Sequence, residues 1–357
     1  MAGLAAAARL RELGVDAVVL EKGTGPGGSM LLSSCVIWRF REWHDFRAEC
    51  PTGDERLQRA VWERLDNAIQ WLLSLGAPVV WDETGNPRTV GKRFDPVRLT
   101  EALARRSGHV YPGRCAWAHM PTQSTDAMIL CTGGFQGDRE LVDVHINPAG
   151  PLRLRANRWS TGDGLRAGLE RGAGLSAGMD EFYGRNMPDA DFTEADFVPQ
   201  AQLYGRFARV YNERGEEFFG GEVSWSENDL VQATARQPNT RAWYVLDDVA
   251  LLERVRDRTV AEMVAQASTA TDPAGLPFRP PPGARVAVRV APAITHTIGG
   301  LRIDEHARVL DENGTPIEGL WAAGADAGGI STGGYASGLA AALVLGRIAA
   351  ESVCGRS

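Results

Sequence analysis

No CxxC or CxxCH spacing occurs anywhere in the chain. The five cysteines, Cys35, Cys50, Cys115, Cys131 and Cys354, are odd in number and scattered. That excludes a zinc knuckle, an iron–sulfur run or a c-type haem site, and it reads as a reduced, cytoplasmic protein without a metal. A basic excess is missing as well. Lys and Arg number 38 against 45 Asp and Glu, a net charge of −7, so the basic face that a nucleic acid needs is not encoded. No stretch approaches the ~18 uninterrupted apolar residues of a membrane span. Arg9, Arg11 and Glu12 break the apolar opening MAGLAAAARLRELG too early for a secretory core. Neither nucleic acid nor membrane is expected as a partner.

Glycine is what the chain holds in excess, 41 of its 357 residues, against a usual ~7%. Such a content points to tight turns or to close approach of backbone and ligand. The length suggests about two domains, and 44% hydrophobic residues suffice for sizeable cores.

Residues 2–13 are rich in Ala and Leu and end at Gly14, which predicts a helix with a glycine stop. VDAVVLEK (15–22) predicts a short buried strand, followed by the glycine-rich GTGPGGS (23–29). Helical spacing returns over 55–75 and 94–106, the latter with Asp95 as N-cap and Pro96 in the first turn. The stretch 107–125 has no clear period and reads as loop, and DAMILCTGG (126–134) reads as a buried strand running into a glycine turn. From about Asn157 to Ile294 the texture changes to mixed aromatic and acidic residues with short strands at 206–212 and 242–247. This predicts a separate α+β domain inserted into the first. The tail resumes strand and turn with GLRID (300–304) and GLWAAGADAGG (319–329), then closes with a helix over 337–352.

An Ala-rich helix followed by a strand with an acid at its tip is half of a dinucleotide-binding fingerprint. Gly3 can serve as its last glycine, and Glu21 stands 18 residues later, where an acid binds a ribose hydroxyl. The first two glycines and the first strand of the fingerprint are not in the sequence. By itself the half-motif fits any α/β protein.

EKGTGPGGS, DAMILCTGGFQGD, NRWSTGDGLRAG, THTIGGLRID and GLWAAGADAGG with GLAAALVLGRIAAES follow one another in an order that resembles FAD proteins of the fumarate-reductase/succinate-dehydrogenase type. That group includes tricarballylate and 3-ketosteroid dehydrogenases. The resemblance implies an α/β fold. A Rossmann-like FAD-binding domain of the glutathione-reductase type would occupy 1–155 and 295–357, lacking its first strand. An α+β capping domain would occupy 156–294. It implies non-covalent FAD, a small-molecule substrate and an electron donor or acceptor that no motif identifies. Glu21, followed by Lys22, would meet the adenosine ribose. Gly27, Gly28 and Ser29 would approach the pyrophosphate and flavin, Thr132 and Gly133 would line the dinucleotide, and Gly324 the ribityl chain. The family's glutamate after that glycine is replaced by Ala325, with Asp326 one place later. Ser337, Gly338 and Leu339 would open the closing helix toward the pyrimidine end of the flavin, where free N–H groups and the helix dipole favour the anionic reduced form.

The substrate positions depart from the family. His296 matches a carboxylate-binding histidine, but Asn157 stands where a second histidine precedes TGDG, and Ser226 stands where a proton-donating arginine is found. No arginine lies between Gly328 and Arg347. Losing planar, permanently charged groups is not conservative for a dicarboxylate, so fumarate and succinate are not the expected substrates. Tyr335, His296, Ser226 and Asn157 remain near the expected hydride site, with Tyr183 and Arg185 as further possibilities. Tyr335 is either a hydrogen-bond donor to a carbonyl, the role of a tyrosine in ketosteroid dehydrogenases, or an aromatic wall. The expected reaction is hydride transfer between flavin N5 and a carbon next to a carbonyl or carboxylate. Two rivals stand beside it: a non-catalytic remnant with weak FAD binding, and a nicotinamide-dependent dehydrogenase. The absent first strand reads either as a misplaced start or as a real loss.

Overall fold

The computed structural model describes residues 1–114 and 127–355. They divide into two compact units, one of 1–141, 156–181 and 296–355, the other of 142–155 and 182–295. The segment 156–181, grouped with the capping domain on sequence texture, thus goes with the first unit, while 142–155 goes with the second.

The first unit is organised around the helix Ala2–Glu12. Its buried residues, Ala2, Leu4, Ala5, Ala6, Ala7, Ala8 and Leu10, cover most of its circumference. Small side chains on all sides let three neighbours approach closely. A Cβ on Gly3 would come within 3.3 Å of Cys131 Cβ, and one on Gly346 of the closing helix would lie 2.6 Å from the Ala2 carbonyl. On the third side Ser107 Oγ donates to the Leu4 carbonyl at 3.1 Å. Leu13 ends the helix, with Gly14 at φ 83° just beyond, as the glycine stop predicts.

Helices Glu55–Ser74 and Pro96–Ser107 begin where their caps put them. Asp54 accepts from the N–H groups of Arg56 and Leu57, and Asp95 accepts from Arg98 N–H. The longer helix buries Leu57, Val61, Leu65, Ala68, Ile69 and Leu72, one stripe of a 3.6-residue repeat.

Two separate parallel pairings carry the dinucleotide-type topology. Val18–Glu21 pairs with His109–Pro112, and Met128–Leu130 pairs with Leu320–Ala322 of the strand Pro316–Ala322, whose other edge takes Arg308–Leu310 antiparallel. Two expectations are corrected here. The 107–125 stretch is not loop throughout: His109–Pro112 is a strand, too short and too mixed to show a period, and created by its partner rather than by its own propensity. Residues 115–125 of that stretch lie outside the described residues. Nor is the strand at 18–21 buried as its β-branched run predicts. Val18 is 63% and Leu20 45% exposed, because among the described residues the strand has a neighbour on one edge only. GLRID forms no regular strand; Leu301 and Ile303 make isolated bridges. An antiparallel sheet of Val36–Phe40, Thr89–Phe94 and Val79–Trp81 completes the unit.

The second unit is a six-stranded sheet in which Val286–Thr297 pairs with Ala242–Leu246, Ala270–Thr271, Arg153–Leu154 and Phe182–Pro188, and Arg209–Tyr211 extends it. Its core collects Tyr204, Leu230, Tyr244, Leu246, Val260, Met263, Val288 and Val290. Within it, Asn186 Nδ2 donates to Tyr244 Oη at 2.7 Å and Thr234 Oγ1 at 3.0 Å, which satisfies polar groups that burial would otherwise penalise. Among the described residues no helix is long and apolar enough to cross a membrane.

Candidate active site

Apart from Ser226 and the two further possibilities Tyr183 and Arg185, the expected site residues fall in the first unit, where four segments converge. The first is the turn after Val18–Glu21. Gly27 and Gly28 adopt φ of 120° and 52°, conformations that L side chains resist. Glu21 folds back so that Oε1 accepts from Gly23 N–H at 2.6 Å. The second is the strap 157–163, which lies along that turn. Asn157 N–H donates to Ser29 Oγ at 3.2 Å, and a Cβ on Gly28 would sit 3.3 Å from Asn157 Nδ2. Lys22 Nζ reaches Thr161 Oγ1 at 2.5 Å and Asp163 Oδ2 at 2.8 Å. The Lys22 ammonium thus anchors the strap, and Asp163 opens the helix Asp163–Glu170. Asp163 went unassigned in the sequence, although TGDG is the signal that contains it.

The third segment is the turn 132–134. Thr132 N–H, Thr132 Oγ1 and Gly134 N–H all donate to the carboxylate of Asp326, the last two at 3.0 and 3.1 Å. Thr132 Oγ1 in turn accepts from Gly164 N–H at 2.9 Å. Asp326 is only 2% exposed. Burial pushes its carboxyl pKa up, and the donors of Thr132, Gly133 and Gly134 pull back against that rise without cancelling it. Asp326 therefore holds the glycine turn, and its oxygens are spent inside the protein. Gly133 takes φ 94°, and a Cβ there would stand 2.7 Å from Ser160 Oγ, so the turn admits only glycine.

The fourth is the loop leading into the helix Gly338–Val353. Gln58 Nε2 grips the Ile330 carbonyl at 2.8 Å, Asp54 N–H the Gly329 carbonyl at 2.8 Å, and Glu181 Oε2 accepts from Gly333 N–H at 2.7 Å. Ser337 caps the helix by accepting from Ala340 N–H at 3.3 Å. The N–H groups of Gly338 and Leu339, in the first turn, have no carbonyl of their own helix to bond. The His296 ring lies against this start, with Cε1 3.0 Å from where a Gly338 Cβ would be. Tyr335 is 6.1 Å from His296 between ring centroids and packs edge-on against Trp38 at 5.9 Å. Desolvation lowers the His296 pKa to about 4, so the ring is neutral near pH 7 although part of it stays open. Gly324, at φ 72°, stands beside Ala2 and Ala342.

Ser226 belongs to the second unit, as do Tyr183 and Arg185. It is fully buried, its Oγ accepting from Asn228 N–H at 3.3 Å, and its carbonyl accepts from Arg185. Next to it Glu227, at φ 54°, buries its carboxyl, which burial pushes to a higher pKa, against Arg206 Nε at 3.2 Å and Gly205 N–H at 3.3 Å. Glu227 was missed because nothing local in SWSENDL marks it as buried.

The residues of the first unit fit a bound dinucleotide. Left-handed glycines open the 27–28 and 133 turns, a helix start presents free N–H groups, and two buried atoms beside Gly134, Gln136 Oε1 and Thr297 Oγ1, have no hydrogen-bond partner.

Comparison with known proteins agrees. The family described as FAD binding domain matches residues 119–339, well over half of the chain, and the family described as NAD(P)-binding Rossmann-like domain matches residues 1–82. A probable fumarate reductase of Shewanella frigidimarina is 26% identical over 272 residues, which span 63% of this chain and 44% of that protein. The chain thus covers less than half of that curated relative. Among solved structures, a 3-ketosteroid delta1-dehydrogenase from Sterolibacterium denitrificans superposes with a TM-score of 0.71 at 16% identity, over 100% of this chain and 98% of that one. A 3-ketosteroid-delta4-(5alpha)-dehydrogenase from Rhodococcus jostii gives 0.69 at 19% identity, over 99% and 94%. At such identities the structural likeness speaks for the fold.

Proposed function

This chain belongs to the FAD binding domain family, and from that premise we propose that it is an FAD-dependent oxidoreductase acting on a carbon–carbon bond next to a neutral carbonyl. The observation that carries this reading is the pairing of Tyr335 with a neutral His296 at the start of the closing helix. A histidine whose pKa lies near 4 brings hydrogen-bonding capacity to a substrate but no positive charge. Together with the absence of arginine between Gly328 and Arg347, this removes from the helix start charge-assisted partners that the dianion of fumarate or succinate needs once desolvated. A ketone or enone needs none. Its oxygen requires one or two directed donors.

Bound FAD supplies the hydride acceptor or donor. Tyr335 Oη donates to the substrate carbonyl, polarising it and raising the acidity of the adjacent C–H. His296 orients the bound oxygen as a neutral group. The helix start at Gly338 and Leu339 favours negative charge in front of it, by ~0.3–2 kcal/mol from the dipole and more from aligned N–H donors. Loop 329–336, gripped by Gln58 and Glu181, holds Tyr335 in place. The partners are a small-molecule substrate and a separate electron donor or acceptor.

The test is anaerobic mixing of the flavin-loaded chain with a cyclic 3-ketone, its enone and fumarate, followed at the flavin absorbance band. Reduction by the ketone, or reoxidation of dithionite-reduced flavin by the enone but not by fumarate, is the expected outcome. Rapid reoxidation by fumarate alone refutes the substrate class. A folded chain that takes up no flavin refutes the enzyme reading.

A further inference from the structure

The strap 157–163 contains an aromatic side chain that the reading above does not use. Trp159 sits half-exposed over Gly23. A Cβ placed on Gly23 would be 3.0 Å from the indole Cδ1, 3.2 Å from Nε1 and 3.0 Å from Glu21 Oε1. The indole and the Glu21 carboxylate therefore flank one point on the backbone, and only glycine at 23 lets both stay. The strap is fixed at both ends of this contact. Asn157 Oδ1 accepts from Trp159 N–H at 3.0 Å, while Lys22 ties Thr161 and Asp163 to the strand tip. Arg158 lays its guanidinium 4.9 Å from the indole centroid. With the ribose on Glu21, as the flavoprotein reading has it, an indole beside that carboxylate is within reach of the base that the ribose carries.

We propose that Trp159 is the purine-contacting wall of the cofactor site, stacking on the adenine. The assignment rests on the flavoprotein reading and adds to it which residues recognise the adenosine half. Aromatic stacking on a base tolerates any purine, so adenine is held by Trp159 through its π face, and hydrogen bonding at Glu21 selects the ribose.

The experiment measures equilibrium binding of ADP and FAD to the flavin-free full chain, wild type against Trp159→Leu, Trp159→Phe and, as control, the exposed Trp81→Leu. Trp159→Leu weakens ADP and FAD by the same factor, about 10-fold to 100-fold, as expected for a lost base–aromatic stack. Trp159→Phe and Trp81→Leu change either by less than about 3-fold, since Phe keeps a stacking face. Addition of ADP changes the tryptophan emission of the wild type, and this change disappears in Trp159→Phe while binding persists. That second readout decides the matter even where Trp159→Leu folds poorly. The proposal is overturned if Trp159→Leu binds ADP as well as the wild type does, if FAD weakens while ADP does not, or if Trp159→Phe keeps the full emission change. If the wild type binds neither ADP nor FAD, the flavoprotein reading itself falls.

Discussion

Removing the Asp326 carboxylate tests how the glycine turn at 132–134 is held. In Asp326→Ala three donors, Thr132 N–H, Thr132 Oγ1–H and Gly134 N–H, lose their acceptor at a site only 2% exposed. An unsatisfied buried donor costs ~1–3 kcal/mol, so three would cost several. The carboxylate leaves enough room for a water, however, and a water can serve two of the three. A net loss of about 3–4 kcal/mol follows from these terms. Asp326→Asn is the sharper variant. Its amide oxygen can replace Oδ1 toward Thr132 Oγ1 and Gly134 N–H, but the NH₂ then meets Thr132 N–H, donor against donor. One lost acceptor and one clash set its cost at about 2 kcal/mol. Gly164, whose Cβ would stand 2.6 Å from Asp326 Oδ2, leaves the amide no room to turn away. Denaturant titration of the flavin-free chain, read by tryptophan emission and far-UV circular dichroism, gives both numbers. The total stability of such a protein is only ~5–15 kcal/mol, so either change is large. The order Ala worse than Asn, with both FAD affinities reduced, is expected. An Asn variant as stable as the wild type, or an Ala variant losing less than about 1 kcal/mol, refutes the clamp, because an unmet buried donor cannot be that cheap.

Other consequences follow from the same geometry. Tyr335→Phe leaves FAD affinity unchanged and slows flavin reduction by about 10²-fold to 10⁴-fold, the usual worth of a positioned proton donor; equal rates in stopped flow would reduce Tyr335 to a wall of the pocket. His296 titrates near 4 in the folded chain against 6.5 in the unfolded one, so its contribution to stability is complete above pH 6.5 and is lost as pH falls from 6.5 toward 4. The loss is about 2 kcal/mol once the ring's partial exposure is allowed for. His296→Gln should flatten that part of the pH–stability curve; an unchanged acid slope in Gln shows that other groups produce it. Gly338→Ala should lower stability by about 1 kcal/mol, although alanine ordinarily gains ~0.5–1 kcal/mol over glycine in a helix, because its Cβ would press on the His296 ring at 3.0 Å. A stabilised variant in urea titration would mean that the ring gives way freely.

Much of this was legible in the residues themselves because it is local. Asp54, Asp95 and Ser337 cap their helices through side chains two or three residues from the N–H they serve. Gly14, Gly27, Gly28, Gly133 and Gly324 occupy backbone conformations that a Cβ would strain. Five ordered motifs sufficed for the family and for FAD, since each records a backbone requirement of one bound molecule. The site's chemistry was less legible. Asp326 stands out in GADAGG as the one acid, but only the approach of residues nearly two hundred positions earlier, at Thr132 and Gly134, turned its carboxylate inward.

The sequence by itself determined four of the helices, those near 2–13, 55–75, 94–106 and 337–352, with the glycine turns and the class of cofactor, because those depend on contacts within a few residues or on a pattern that one ligand imposes; shorter helices such as Asp163–Glu170 and Asn228–Ala235 were not marked in it. Tertiary structure alone decided that His109–Pro112 is a strand, that Val18 and Leu20 stay exposed, that strap 157–163 lies on the 21–29 turn, and that His296 is neutral. Each of those depends on which distant segment arrives alongside, and pairing, desolvation and burial are properties of the neighbours a residue acquires rather than of the residue itself.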